Sequence, residues 1–302
     1  MLRAKDFIIR DPYVVADNGK YYLYSRRKPD TNCLHMVVYE SVDLVNWSNP
    51  KTVFYYETNK NTHLQCELWA PEIHKYNGKF YAFLSAKNIT GKRGTYVAVS
   101  DTPDGEFKLL NENKPITPVE KSCIDGTLYI EDGTPYVIYS RDWPDNYIEE
   151  KGYYVGQICG VEVNKELTEI VGEPFLLFES NTLELTKDCP NVTMYEGALR
   201  TRYGSDAPFL QKLSNGSLFL TWSPVLDKTY VVLGAVSKSG KIKGEWEHLT
   251  TPIFAQNGGH AMFFDGFDGK KKMLIHSPEF TLSTHATFFN VEEINGKIEI
   301  IK

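Results

Sequence analysis

The chain has 302 residues, is 13% aromatic with 19 Tyr and 16 Phe, and carries a formal net charge of −6. It has no basic stripe with which to release counterions from a nucleic acid and no run of 18 apolar residues, so neither a nucleic acid nor a bilayer is expected as a partner. The cysteines at 33, 66, 123, 159 and 189 are odd in number and show no C-x-x-C spacing. They describe no disulfide framework, and with no apolar leader at the N-terminus the chain as it stands reads as cytoplasmic, or as secreted if a signal has been removed.

Along the chain, a polar turn followed by an aromatic strand ending in Ser recurs five times. The copies are GKYYLYS at 19–25, GKFYAFLS at 78–85, GTPYVIYS at 133–140, GSLFLTWS at 216–223 and GKKKMLIHS at 269–277. A period of roughly 50 to 60 residues is that of one four-stranded propeller blade. Between the copies, period-2 alternation predicts further strands at 33–41, 94–101, 153–163 and 229–237. The fold expected is therefore all-β, a single five-bladed β-propeller over residues 1–302. The third interval is 83 residues against 59, 55 and 53 for the others. It predicts a long irregular insertion over about 181–204 that overhangs one end of the channel. The segments DFIIRD at 6–11 and HATFFNVEEI at 285–294 are the candidates for closing the ring.

Ahead of each turn, where an innermost strand would begin, stands an ionisable residue beside Pro or Gly: Asp11, Glu72, Asp125, Asp206 and His260. Innermost strands surround the propeller axis, so these five are expected at one end of the channel. Carboxylates facing one another across a pocket are the equipment of glycosidic bond hydrolysis. One donates a proton to the leaving oxygen while another activates water or attacks, and a third separates their pKa values. The repeat serines lack a Gly-x-Ser-x-Gly context and mark strand ends rather than nucleophiles.

The segments RDPYVVADNGKYYLYS, LWAPEIHKYNGKFYAFLSA, CIDGTLYIEDGTPYVIYSR, SDAPFLQKLSNGSLFLTWS and GGHAMFFDGFDGKKKMLIHSP resemble glycoside hydrolase family 43, five-bladed propellers that act on arabinose- and xylose-containing polysaccharides. The resemblance implies an inverting mechanism with Asp11 as general base and Asp125 orienting the acid. The family's acid is a Glu in an EGP-type segment, where this chain has Asp206-Ala207-Pro208. The shorter side chain displaces the proton donor by about 1.5 Å, which leaves Asp206, or Glu196 on the insertion, as the candidate acid.

Trp69, Glu72, Arg141 and Trp143 are the candidate substrate-binding residues, with Glu72 alternatively a buried carboxylate tying blades together. No cofactor is required for the chemistry. The resemblance implies a structural calcium on the axis at His260, a weak site if one His and waters hold it. The expected partner is an oligosaccharide or polysaccharide, and the expected state a monomer. Two other readings stand beside this one. A retaining fructosidase-like enzyme would bring its carboxylates to about 5 Å, against roughly 6.5 to 9.5 Å for inversion. A glycan-binding propeller without hydrolysis would follow from loss of the acid.

Overall fold

The structure, a computed structural model, describes every residue except 1, 7, 27–34, 56–63, 112–113, 280–282 and 302, and only the backbone at 65 and 66. Cys33, Cys66 and the start of the strand expected from 33 lie outside the described residues. Cys123, Cys159 and Cys189 are free thiols.

Five four-stranded antiparallel sheets follow one another along the chain. Blade one is Tyr13–Asp17, Lys20–Arg26, Met36–Ser41 and Lys51–Phe54; blade two is Leu64–Tyr76, Lys79–Asn88, Arg93–Ser100 and Lys108–Leu109. Blade three is Cys123–Glu131, Thr134–Arg141, Gln157–Glu162 and Phe175–Glu179; blade four is Phe209–Lys212, Leu218–Trp222, Leu233–Ser237 and Glu247–His248. Blade five is Gly259–Asp265, Lys271–Ser277, His285–Ile294 and Lys297–Ile301. Each repeat supplies the hairpin between a blade's first two strands. Asn18-Gly19 and Asn77-Gly78 turn in the left-handed region, at φ 48°/77° and 47°/78°, the conformation that matches the twist of the flanking strands.

The first strand of each blade touches the first strand of the next, and that of blade five touches that of blade one. These strands form the inner wall of a closed five-bladed ring. The two candidate closing segments do not share a blade, because 285–294 pairs only within blade five. The N-terminal segment instead pairs Leu2–Arg3 with Asn46–Trp47 of blade one and donates from Ile9 N–H to Thr284 O at 2.9 Å. The fully buried Trp47 stacks on Phe288 at 6.2 Å, joining blades one and five by apolar packing.

Two expectations need correction. The strand expected over 153–163 breaks at Gly156, whose N–H leaves the ladder to reach Tyr203 O at 2.7 Å. There is no room for a side chain at that point, since a Cβ on Gly156 would lie 2.5 Å from Ser205 Oγ. The part before the break, Tyr153–Val155, joins Tyr147–Ile148, Ala198–Tyr203 and Asn191–Tyr195 in a sixth four-stranded sheet. The insertion is therefore irregular only in its first half. Its second half is a β-hairpin turning at Glu196-Gly197, with φ 48° and 75°.

Candidate active site

In every blade, one residue at the mouth of the inner strand is left-handed: Asp11 (φ 50°), Ala70 (43°), Asp125 (53°), Ala207 (51°) and His260 (58°). Pairing slips across this point in blades two, three and five, as it does where a bulge re-aims a side chain. Left-handed non-glycine residues cost roughly 1–3 kcal/mol each and persist where the surroundings over-determine them. Here the corner turns its own side chain, or that of the residue before it, into one pocket of about 420 Å³. Its walls include Arg10 and Asp11, Trp69, Asp125, Asp206 and His260.

This alignment places the expected residues. Asp11, Asp125 and His260 occupy the corner itself, and Asp206 stands one residue ahead of it. Glu72 stands two residues beyond it, further down the strand, and does not line the pocket. It is buried, accepts from Thr127 Oγ1 of blade three and meets His74 Nε2 at 2.6 Å. Its place in the structure is that of an inter-blade tie rather than a sugar contact. Blade two lines the pocket with Glu67 and with Trp69, the latter covered by the Arg93 guanidinium at 3.9 Å.

The charges are sorted by position. Burial alone would push the Asp11 carboxyl up, but His260 Nδ1 at 3.2 Å, together with Arg10, outweighs burial and holds it well below the ordinary carboxylate range. Burial would likewise push His260 down, yet Asp11, Asp125 and Asp206 raise it to about 9, so it stands as an imidazolium among carboxylates. His276 is pushed down by burial. Its Nδ1 accepts the Asp11 N–H at 3.2 Å and its Nε2–H donates to Glu279 at 2.6 Å, the pattern of a neutral ring. Asp206 goes the other way: burial, then Asp125 and Asp142, push it up to about 8, against the pull of Arg202 and His260. Asp125 is raised by burial. Its Oδ2 accepts the Ala207 N–H at 3.0 Å, which fixes the peptide next to Asp206. Tyr230 OH donates to Asp206 Oδ2 at 3.4 Å.

A second chamber of about 500 Å³ opens from the first and shares Trp69, Asp206 and Tyr230 with it. Trp143 lines it, held edge-on by Tyr195 at 5.0 Å and covered by the Arg202 guanidinium at 4.9 Å. Arg141 does not reach the cleft. Strand alternation turns it to the other face, where it donates to Gln157 Oε1 at 2.9 Å and Asp145 O at 3.0 Å. Glu196 is exposed at the hairpin tip and lines neither chamber. Its neighbour Tyr195 is the residue the hairpin delivers to the cleft.

Sequence reasoning missed Asp142, which lines the second chamber. It is buried, pushed by burial up to about 6 against the pull of Arg93, and caps the short turn at Trp143. The signal was present in Asp142-Trp143-Pro144, an acidic residue leaving a repeat strand next to an aromatic. A calcium at His260 would have that one imidazole and waters as its ligands. Among the described residues no group of three or more His, Cys, Asp or Glu is arranged for a metal. His260 Nδ1 is turned to Asp11, and a lone imidazole is a poor host for an ion that takes six to eight oxygens.

The chain is similar to an endo-arabinase from Bacteroides thetaiotaomicron VPI-5482, with 30% identity, a TM-score of 0.84 and 98% of both chains covered. A thermostable family-43 glycoside hydrolase superposes with a TM-score of 0.81 at 25% identity, covering 97% of this chain and 92% of that one. An extracellular exo-α-(1→5)-L-arabinofuranosidase from Streptomyces avermitilis is 21% identical over 282 residues, 88% of this chain; the match spans 53% of that protein's length. A second, from Streptomyces chartreusis, is 22% identical, covering 88% of this chain and 78% of that protein. The family model for glycosyl hydrolases family 43 matches residues 6–288; with the five-bladed ring and its carboxylate-lined mouth, the chain belongs to that family.

Proposed function

We propose that this chain is a glycosidase that hydrolyses α-L-arabinofuranosyl bonds in arabinan-type oligosaccharides or polysaccharides, with β-D-xylosyl bonds as the second substrate class. The observation that carries the reading is that two carboxylic acids in one pocket have opposite surroundings, Asp11 against His260 and Arg10 and Asp206 against Tyr230. Asp11 is held ionised by His260 and Arg10, and Asp206 is held protonated by burial and by Asp125. That is the division of labour a general base and a general acid need at neutral pH. In the proposed step, Asp11 takes a proton from water as the water oxygen attacks the anomeric carbon. Asp206 gives its proton to the departing glycosidic oxygen, so the glycosidic C–O bond breaks as the new one forms. Asp125 holds the peptide beside Asp206 and keeps its proton on. No step is routed through an ion.

The substrate class is supported by the names of the relatives, which act on arabinose-containing or xylose-containing glycans. The Streptomyces relatives are extracellular, which favours work outside the cell over the cytoplasm, and no helix among the described residues is long and apolar enough to cross a membrane.

The test is turnover of chromogenic α-L-arabinofuranoside, β-D-xyloside and debranched arabinan by wild type, Asp11→Asn and Asp206→Asn. Wild-type turnover abolished in Asp11→Asn is the expected result. The non-hydrolytic reading is favoured by one observation, that Glu196 lines neither chamber and leaves the shorter Asp206 as acid. Oligosaccharide binding without turnover would establish that reading instead.

A further inference from the structure

The two chambers meet at Asp206. Asp11 lines only the first, whereas Asp206 lines both. A glycosidic bond broken between them therefore keeps its glycosyl ring in the first chamber and sends its leaving group into the second. This assignment of sides rests on the glycosidase reading above.

The charge of the second chamber is not needed by a neutral pentose. Arg10, Lys87, Arg93 and Arg202 line it, against Asp142, Asp206 and Glu279. Glu279 is already engaged by Arg10 at 2.7 Å and by His276 at 2.6 Å. Arg93 is engaged by Glu67 at 2.5 Å. Arg202 and Lys87 form no ion pair among the described residues. The Arg202 Nε is buried without a hydrogen-bond partner. Its guanidinium is nonetheless held in place. It lies 4.9 Å from the centre of the Trp143 ring, and a Cβ added to Gly204 would come within 2.7 Å of its Nη1. The fork is thus pre-positioned, with the glycine leaving room for it. A planar guanidinium presents parallel N–H donors that match a carboxylate, and a cleft with surplus positive charge concentrates anions.

We infer that the second chamber is a leaving-group subsite for a carboxylate-bearing sugar, a hexuronosyl unit whose carboxylate is received by Arg202 while Lys87 adds to the attracting field. The enzyme would accordingly favour bonds that join a neutral pentose to an acidic glycan over bonds within a neutral one.

The experiment is calorimetric binding of digalacturonate and of its dimethyl ester, which has the same ring skeleton without the charge. The acid is expected to bind about tenfold more tightly than the ester, and the difference should shrink between about 20 mM and about 500 mM NaCl. Arg202→Met removes the preference, and Arg202→Lys keeps only part of it because the fork is lost. Gly204→Ala, which displaces the guanidinium without removing charge, lowers it. Should Arg202→Met fail to fold, Lys87→Met and Arg202→Lys read the same quantity.

Equal binding of acid and ester overturns the inference, as does a preference that survives Arg202→Met, or no binding of the acid at about 10 mM. Because the probes report binding alone, a failed hydrolysis assay on neutral substrates would sink the glycosidase reading and leave this measurement intact.

Discussion

Ser85, the last residue of the repeat in blade two, accepts the backbone N–H of Asp125 in blade three on its Oγ at 2.7 Å. One blade on, the serine bonds in the opposite direction: Ser140 donates to Ser205 O, next to Asp206. The first relation recurs where Ser223 Oγ accepts the His260 N–H at 2.9 Å. Three of the five repeat serines, which read as strand ends, thus fasten the following blade at its pocket-lining corner or next to it. Ser85→Ala leaves the Asp125 N–H buried without a partner, at a cost of about 1–3 kcal/mol. The expected outcome is a lower urea midpoint together with a kcat reduced about tenfold. Ser85→Thr, which keeps the hydroxyl, should recover most of both.

The pH dependence follows from the two carboxyls. Asp206 must be protonated to act as acid, so kcat/KM should fall as pH rises through about 8. Stability should fall over the range below it. Asp206 binds its proton more tightly in the folded chain than at its ordinary value of 3.8, so raising the pH from about 4 to about 8 favours the unfolded chain. His260, raised from 6.5 to about 9, contributes stability below 6.5 that is lost as pH rises through about 9. Asp11, held low, contributes above its ordinary value of 3.8 and loses that contribution only in strong acid. Thermal unfolding followed from pH 5 to 9 should show a declining Tm, and Asp206→Asn should flatten the decline below about pH 8. A Tm that rises across this range would contradict the assigned charge states.

The identity of the acid is tested by pairing two variants. Glu196→Gln changes an exposed turn and should keep kcat within about twofold of wild type. Asp206→Asn removes the proton donor and should lower kcat about 10²- to 10⁴-fold on substrates with poor leaving groups. It should lower kcat much less on a dinitrophenyl glycoside, whose leaving oxygen needs no proton. A large loss in Glu196→Gln instead would mean that the hairpin folds over the cleft during turnover.

Much of this was readable in the residues, and the errors have definite causes. The hairpin turns and the five-blade count lie in local chemistry, where Asn-Gly and Asp-Gly pairs permit the left-handed turn that twisted strands require. Asp11, Asp125 and His260 were found because the corner residue is itself ionisable. Glu72 was misplaced because blades were aligned by charge. The prolines at 12, 71 and 208 give the true register and put Ala70, not Glu72, at the corner. The insertion looked irregular because its alternation, Val192 and Met194 against Thr193 and Tyr195, leaves the apolar side exposed, the reverse of a blade strand. Arg141 and Asp142 are neighbours on one strand exit, and choosing between them needed the strand's facing, which only the pairing register supplies.

His260 is expected to work by its charge. His260→Gln removes the cation that leads the forces holding Asp11 low, so the Asp11 pKa should rise towards the ordinary carboxylate range. The acid limb of kcat/KM should then move to higher pH, with kcat reduced about 10- to 100-fold at neutral pH. Chelation with EDTA should leave the wild-type rate and Tm unchanged, and added calcium should not raise them. A calcium-dependent Tm that His260→Gln abolishes would instead identify an ion at this position.

The stereochemistry of the product decides what Asp11 does. An ionised Asp11 that activates water yields a sugar of inverted configuration, and an Asp11 that attacks the anomeric carbon yields, after hydrolysis of the glycosyl-enzyme, a retained one. The imidazolium of His260 and the guanidinium of Arg10 both lie against the Asp11 carboxylate, at 3.2 Å and 3.6 Å. They keep it ionised and lower its basicity and its nucleophilicity together, so the expectation of inversion comes from the mechanism that the family resemblance implies. Proton NMR of the first product released from a p-nitrophenyl glycoside, recorded before mutarotation, should therefore show the inverted anomer. Added methanol should give no methyl glycoside, because inversion leaves no glycosyl-enzyme to intercept. A retained anomer with methyl glycoside formed would reassign Asp11 as nucleophile and Asp206 as the acid that later serves as base.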